Sequence, residues 1–158
     1  MNIDLRKRTK AEVKVFYERT QDAELERLFP FTTKSLGQAY ELYEESLKEN
    51  AQSYGRTIYC DNTYIGDVWC YGIDLEDEKM AMVSIVIFDK LFWRKGIGEK
   101  ALRQFSSEVF NIYKIEKLGA FTFAYNYGSI GTLRKCGFTE IERFTEDGID
   151  SIYFELKK

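Results

Sequence analysis

The sequence predicts an α/β (α+β) fold: one mixed central sheet of about seven strands, flanked by about four helices. Three observations predict it. Residues 79–88 are a near-continuous apolar run, as expected of a central strand covered on both faces. Beyond them Ala101, Phe105, Val109 and Tyr113 recur at four-residue intervals, the mark of an amphipathic helix. A further strand-like run at 117–124 completes a strand–helix–strand unit, which requires a parallel pair joined by a right-handed crossover.

The remaining elements follow in order. Residues 2–8 read as a first strand, with Ile3 and Leu5 alternating against charge. Residues 10–20 and 34–50 are helical by pattern; in the second, Leu36, Ala39, Tyr40, Tyr43 and Leu47 fall at helical spacing. Between them, Asp22 to Phe31 make a short helical turn that ends in a loop. Residues 54–60 and 64–73 form a hairpin around Asp61-Asn62. After the parallel unit come a helix at about 127–135 and two closing strands at 138–144 and 149–156. Pro30 is the only proline and no Ser/Gly-rich linker interrupts the chain. Residues 1–158 are therefore expected to form a single domain, long enough to bury a sizeable core.

Composition narrows the function. Hydrophobic content of 44% and aromatic content of 16% describe a packed chain. The formal net charge of −3 argues against nucleic acid as a partner. The chain has no histidine. That excludes a His base, a Ser-His-Asp triad and a His-ligated metal. Cys60, Cys70 and Cys136 show no metal-type spacing, so no metal is expected. Neither a signal peptide nor an apolar run of membrane-spanning length is visible, so a cytoplasmic protein with reduced thiols and no membrane partner is expected.

The most informative stretch is Phe92-Trp93-Arg94-Lys95-Gly96-Ile97-Gly98. It follows the apolar strand and opens the amphipathic helix. Its glycines allow a tight turn that leaves the first helical N–H groups unpaired and pointing outward. Those donors and the positive end of the helix dipole together favour an anion such as phosphate. Lys90, Arg94, Lys95, Lys100 and Arg103 add local positive charge, against the single acid Glu99. No Gly-Lys-Ser/Thr follows, so this is not a P-loop, and the third glycine of a dinucleotide fingerprint is missing.

A second segment runs Asn126-Tyr127-Gly128-Ser129-Ile130-Gly131-Thr132-Leu133-Arg134-Lys135-Cys136-Gly137-Phe138. The pair resembles the two signatures of the GNAT superfamily of acyl-CoA N-acyltransferases. The first, Arg/Gln-x-x-Gly-x-Gly/Ala, is matched at Gly96 and Gly98, with Trp93 where many members carry Arg or Gln. The second, Asn-x-x-Ser-x-x-x-Tyr/Leu-x-Lys-x-Gly-Phe, is matched at Asn126, Ser129, Lys135, Gly137 and Phe138. Trp93 and the Asp22 to Phe31 stretch are similar to the RimJ/RimL-type branch. The order of elements is also the superfamily's, so the resemblance covers essentially the whole chain.

The resemblance implies that the two central parallel strands splay apart and that acetyl-CoA, the cosubstrate, lies in the gap. It implies backbone hydrogen bonds from Ile85, Val86, Ile87 and Phe88 to the pantetheine arm. The Trp93–Glu99 loop (Trp93, Arg94, Lys95, Gly96, Ile97, Gly98 and Glu99) would hold the pyrophosphate, chiefly through the N–H groups of Lys95 through Glu99. Asn126, Ser129 and Lys135 would lie on the pantetheine and phosphate side. Simpler readings exist: Asn126 can cap the following helix, and Ser129 can be a helix-surface residue.

The reaction implied is direct attack of a neutral amine on the thioester carbonyl, with a proton delivered to the departing thiolate. Many members supply that proton from a tyrosine at the position that here holds Leu133. Tyr125, Tyr127 and Cys136 are the nearest hydroxyl or thiol groups in sequence, and Tyr127 is the candidate acid. Asp67 is the candidate base, with Ser84 as a group able to bind substrate or water. Glu76, Asp77 and Glu78 read as solvated turn charge. A nucleophilic Cys136 would need a lowered pKa.

An acceptor pocket is expected from residues 25–36, the hairpin around 61–63 and the loop at 144–149. Phe29, Phe31, Trp69 and Tyr71 are its candidate walls, and Asp22, Glu24 and Glu26 are acids able to attract a cationic amine. The expected function is N-acetylation of a primary amine, on a protein N-terminus or on a small molecule such as a polyamine, amino acid or antibiotic. The alternative is an inactive CoA-binding sensor or interaction module of the same fold. A homodimer formed through the C-terminal strands is common in families of this shape.

Overall fold

The computed structural model describes residues 1–158. Strand β1 (Ile3–Lys7) leads into α1 (Lys10–Arg19), α2 (Ala23–Leu28) and α3 (Leu36–Ser46). The hairpin β2 (Tyr54–Cys60) and β3 (Thr63–Asp74) precedes the central strand β4 (Met80–Ile87). Helix α4 (Ile97–Ile112), β5 (Lys117–Phe123), α5 (Tyr127–Lys135), β6 (Thr139–Glu146) and β7 (Ile149–Lys157) complete the chain. The sheet has seven strands in the order β1-β2-β3-β4-β5-β7-β6, and every pair is antiparallel except β4–β5. Five helices flank it, because the stretch read as a helical turn after Asp22 is a helix in its own right.

Local signals set the element ends. Thr9 and Glu12 form a reciprocal capping box at the start of α1, while Asp22 and Ser35 cap α2 and α3 through their side chains. Helix α3 ends at Ser46, short of the predicted residue 50, and it buries no side chain. Asp61 and Asn62 both have positive φ, as a two-residue turn matching the twist of its hairpin requires.

Two apolar layers cover the sheet. On one face α4 buries Ile97, Ala101, Leu102, Phe105 and Val109 against β4 and its neighbours, joined by Ile130 and Leu133 of α5. Phe105 is fully buried, so truncating it to alanine costs about 3–5 kcal/mol. On the other face Leu25 of α2 packs with Val86 and Phe88, and Phe16, Phe31, Trp69 and Trp93 lean on them. The predicted double coverage of β4 is thus met from two sides. No helix is long and apolar enough to cross a membrane.

The parallel pairing of β4 with β5 is brief. It joins Met80 to Lys117, Ala81 to Leu118 and Met82 to Gly119, then stops, although both strands run on to Ile87 and Phe123. The central strands therefore diverge toward their C-terminal ends.

Candidate active site

The divergence opens a cleft walled by Val83, Ser84 and Ile85 of β4 and by Ala120 to Phe123 of β5. Leu28, Phe29 and Pro30 roof it, and Leu102, Ser129 and Leu133 close its far side. Backbone groups along the β4 wall alternate in direction. The Phe88 N–H turns to the Ile65 carbonyl on β3 at 2.9 Å, so those of Ser84 and Val86 face β3 as well. Those of Val83, Ile85 and Ile87 face the gap. Trp93 donates its indole N–H to the Ile87 carbonyl at 2.7 Å and so takes one of these acceptors. Of the expected strand 85–88, only the Ile85 groups and the Ile87 N–H remain to meet an extended amide chain. Val86 and Phe88 are 2% and 3% exposed and serve the core beneath α2, which corrects their expected place in the cleft.

The loop after β4 is wound by two left-handed residues, Arg94 at φ 61° and Gly96 at φ 75°. A 3-10 turn at Lys90–Phe92, capped by Asp89, brings the chain to this point. Gly96 caps α4 without a side chain. The Lys100 N–H bonds the Gly96 carbonyl at 3.2 Å, leaving the N–H groups of Ile97, Gly98 and Glu99 ahead of the helix ladder. Lys90 is held by Asp22 and Glu24 at 2.9 and 3.1 Å, and Arg103 by Glu99 at 3.2 Å. Arg94, Lys95 and Lys100 keep their charge free of any ion pair, with Lys95 lying over the Phe92 ring. An open N-terminus on a sixteen-residue helix beside three unpaired cations fits a pyrophosphate.

Two residues at the β5–α5 corner lock the roof of the cleft. The Tyr125 hydroxyl donates to the Arg27 carbonyl at 2.6 Å. Asn126 is 5% exposed; its amide donates to the Leu28 carbonyl at 3.3 Å while its oxygen accepts from the Ser129 N–H at 3.1 Å. Asn126 is thus a helix cap that also fastens the end of α2. Ser129 lines the cleft. Lys135 is exposed at the far end of α5, about 13 Å along the helix from that cap. Its carbonyl accepts from the Arg103 guanidinium.

The candidate catalytic groups divide sharply. Asp67 is 1% exposed, lies 2.9 Å from Arg8 Nη2 and accepts the Tyr64 hydroxyl at 2.5 Å. Burial pushes its carboxyl up to about 6, with Arg8 and the Tyr64 hydroxyl pulling it back down. Enclosed in this way it has no path to an amine, which corrects its reading as the base. Tyr127 is 80% exposed and stands outside the cleft, so it too is removed from the candidate acids. Cys136 donates its thiol to the Glu99 carbonyl at 3.4 Å, and burial pushes the thiol up to about 11, so it stays protonated. Ser84 does line the cleft, as does Tyr71. Leu133 is 4% exposed and presents no hydroxyl.

Of the expected acceptor walls, Phe29 and Tyr71 line the cleft. Phe31 and Trp69 sit behind it, each edge-on to Phe16 at 6.4 and 5.9 Å. In the hairpin at 61–63, Asp61 accepts from the Asn2 N–H and Asn62 from Arg6 of β1, and residues 144–149 do not line the cleft. The sequence reading missed Phe121, Phe123, Thr122 and Ser151, which complete the walls. The alternation of Phe121, Thr122 and Phe123 along β5 was visible; which face would be left open, and that Ser151 of β7 would border it, was not.

Comparison with known proteins gives a consistent result. No curated protein matches the chain by sequence. Among solved structures, spermidine N-acetyltransferase from Vibrio cholerae, in complex with CoA and spermine, superposes with a TM-score of 0.86 at 16% identity, covering 98% of this chain and 95% of that one. The ribosomal-protein α-N-acetyltransferase RimL, in complex with coenzyme A, gives 0.85 at 16% identity over 99% and 94%. The aminoglycoside acetyltransferase AAC(6')-Ib with coenzyme A gives 0.82 at 17% identity over 99% and 95%. These likenesses carry the fold. The model of the acetyltransferase (GNAT) domain matches residues 2–139, and with the splayed strands and the open helix start in place, the chain belongs to the GNAT acetyltransferase family, whose acyl donor is acetyl-CoA.

Proposed function

We propose that this protein is an acetyl-CoA-dependent N-acetyltransferase that acts on a primary amine through a ternary complex. The observation that carries the reading is the splay of β4 from β5 beyond Met82 and Gly119, with the uncapped start of α4 close to the end of β4, where a Cβ on Gly98 would sit 3.8 Å from Ile87. A pyrophosphate held by the α4 N–H groups would lead an extended amide chain along Ile85, with the thioester deep in the cleft. Backbone donors fixed in this way act without reorganising as charge develops on the carbonyl oxygen.

Acid–base chemistry would fall to hydroxyls and water. No carboxylate lines the cleft, and the polar side chains it offers are Tyr71, Ser84, Thr122, Ser129 and Ser151. Burial raises the Tyr71 hydroxyl, with Ser84 pulling it back, so this hydroxyl is protonated and able to donate to a leaving thiolate. Trp93 and the α2 stretch support the RimJ/RimL-type branch. Three free buried cysteines suit a cytoplasmic setting.

A second reading is favoured by Leu133, which lacks the hydroxyl that many members use: a CoA-binding sensor without turnover. Thiol release from acetyl-CoA with a panel of primary amines separates the two. Turnover with at least one amine, abolished in Gly98→Asp, is the expected result. Tight CoA binding without turnover of any amine would establish the sensor. Failure to bind CoA would overturn both.

A further inference from the structure

The cleft contains no charge. None of the fifteen residues lining it is Asp, Glu, Lys or Arg. Most acids of the neighbouring elements are already engaged, and Glu26, exposed on α2, does not line the cleft. Asp67 is enclosed by Arg8 and Tyr64, and Asp22 and Glu24 share Lys90. Glu155 accepts the Tyr153 hydroxyl at 2.7 Å and lies 3.1 Å from Lys117. Beyond Tyr71 a second, polar hollow holds Glu45, which Lys48 takes at 2.8 Å. An ammonium group entering this cleft would lose its water and meet no counter-charge, and no carboxylate is available to deprotonate it there.

Resting on the acetyltransferase reading, we infer that the acceptor is a weakly basic amine beside an apolar group, entering as the free base, and that strongly basic alkylamines and polyamines are excluded. At pH 7 a peptide α-amine is neutral in about one molecule in ten, whereas a lysine ε-amine is neutral in about one in 2,500. An enzyme with its own base inside the cleft can erase that difference; this cleft has none. The neutral nitrogen forms the C–N bond at the thioester carbonyl, the C–S bond breaks, and the proton shed by nitrogen ends on the CoA sulfur.

The apolar half of the inference comes from Phe121. It lines the cleft yet is 55% exposed, and it continues outward to Phe144 and Tyr153, with ring centroids at 5.7 and 5.0 Å. No helix covers this part of the sheet face. A side chain next to the acceptor nitrogen would rest on this aromatic shelf, where it removes apolar surface from water.

The test compares three amines at pH 7: a leucine-starting peptide with a free α-amine and no lysine, an N-acetylated peptide of the same length with one lysine, and spermidine. The expected kcat/KM for the α-amine is at least about tenfold above either of the others. Spermidine or the lysine peptide as the best acceptor would leave the transferase standing and overturn the substrate class. Thiol release with none of the three, nor with a wider amine panel, would overturn the transferase reading itself. Phe121→Ala should raise KM for the leucine-starting peptide about fivefold with kcat held within about twofold. An unchanged KM would overturn the shelf.

Discussion

The indole N–H of Trp93 donates to the carbonyl of Ile87 at 2.7 Å, closing the loop that joins the central strand to α4. Ile87 ends β4 and Trp93 lies six residues later, so one bond sets where the helix start stands relative to the cleft. The indole ring also leans on the core beneath α2. Trp93→Phe keeps a ring and deletes the donor. It should cost about 1 kcal/mol of stability, read by denaturant titration, and raise KM for acetyl-CoA several-fold with kcat nearly unchanged.

Gly96 and Gly98 should fail differently. A side chain at Gly96 would meet no atom within 4 Å, so its cost is the φ of 75° alone, about 1–2 kcal/mol for Gly96→Ala. A Cβ at Gly98 would sit 3.6 Å from Thr132 and 3.8 Å from Ile87, both ordinary contacts. Gly98→Ala should therefore fold with nearly unchanged stability and yet bind CoA more weakly. Calorimetry of CoA binding beside thermal melts of both variants checks the contrast.

The parts of this arrangement legible in the sequence were the local ones. The apolar run of β4, the four-residue spacing of α4 and the glycines at its start are set by neighbours in the chain, so periodicity and turn chemistry reveal them. Asp67 defeats such reading because its partner Arg8 comes from the far side of the α-helical segment, and only the fold brings the two to 2.9 Å. Asn126 was legible as a cap, since Ser129 lies three residues on. Its bond to Leu28 spans 98 positions and was not. The uncharged interior of the cleft was hidden for the same reason: Asp22 and Glu24 look like free acids until Lys90 is seen between them.

Asn126 joins two functions that substitution can separate. Asn126→Ala removes both the cap on α5 and the donor to Leu28, and should cost about 1–2 kcal/mol. Asn126→Asp keeps an acceptor for the Ser129 N–H at a helix start, where negative charge is welcome, but it cannot donate to the Leu28 carbonyl. It should hold most of the stability while raising KM for the acceptor amine, because the roof of Leu28, Phe29 and Pro30 loses a fastening. A KM for the amine equal to wild type in Asn126→Asp would show that Tyr125 alone holds the roof.

Asp67 makes a prediction about pH. Its carboxyl sits at about 6 in the folded protein, raised by burial from an ordinary value of 3.8. Between these values the folded state binds the proton more readily than the unfolded chain, so unfolding free energy falls as pH rises from about 4 to 6. This contribution, at most about 3 kcal/mol, is complete below the unfolded value and lost above the folded one. Asp67→Asn should flatten that slope, seen as a difference between the two stability curves that narrows or reverses across this window. Removing the guanidinium in Arg8→Met takes away the main force holding the carboxyl down, so the falling limb should extend above pH 6. A wild-type curve that instead rises steadily from pH 4 to 6, with Asp67→Asn lacking that rise, would mean the Arg8 ion pair outweighs burial.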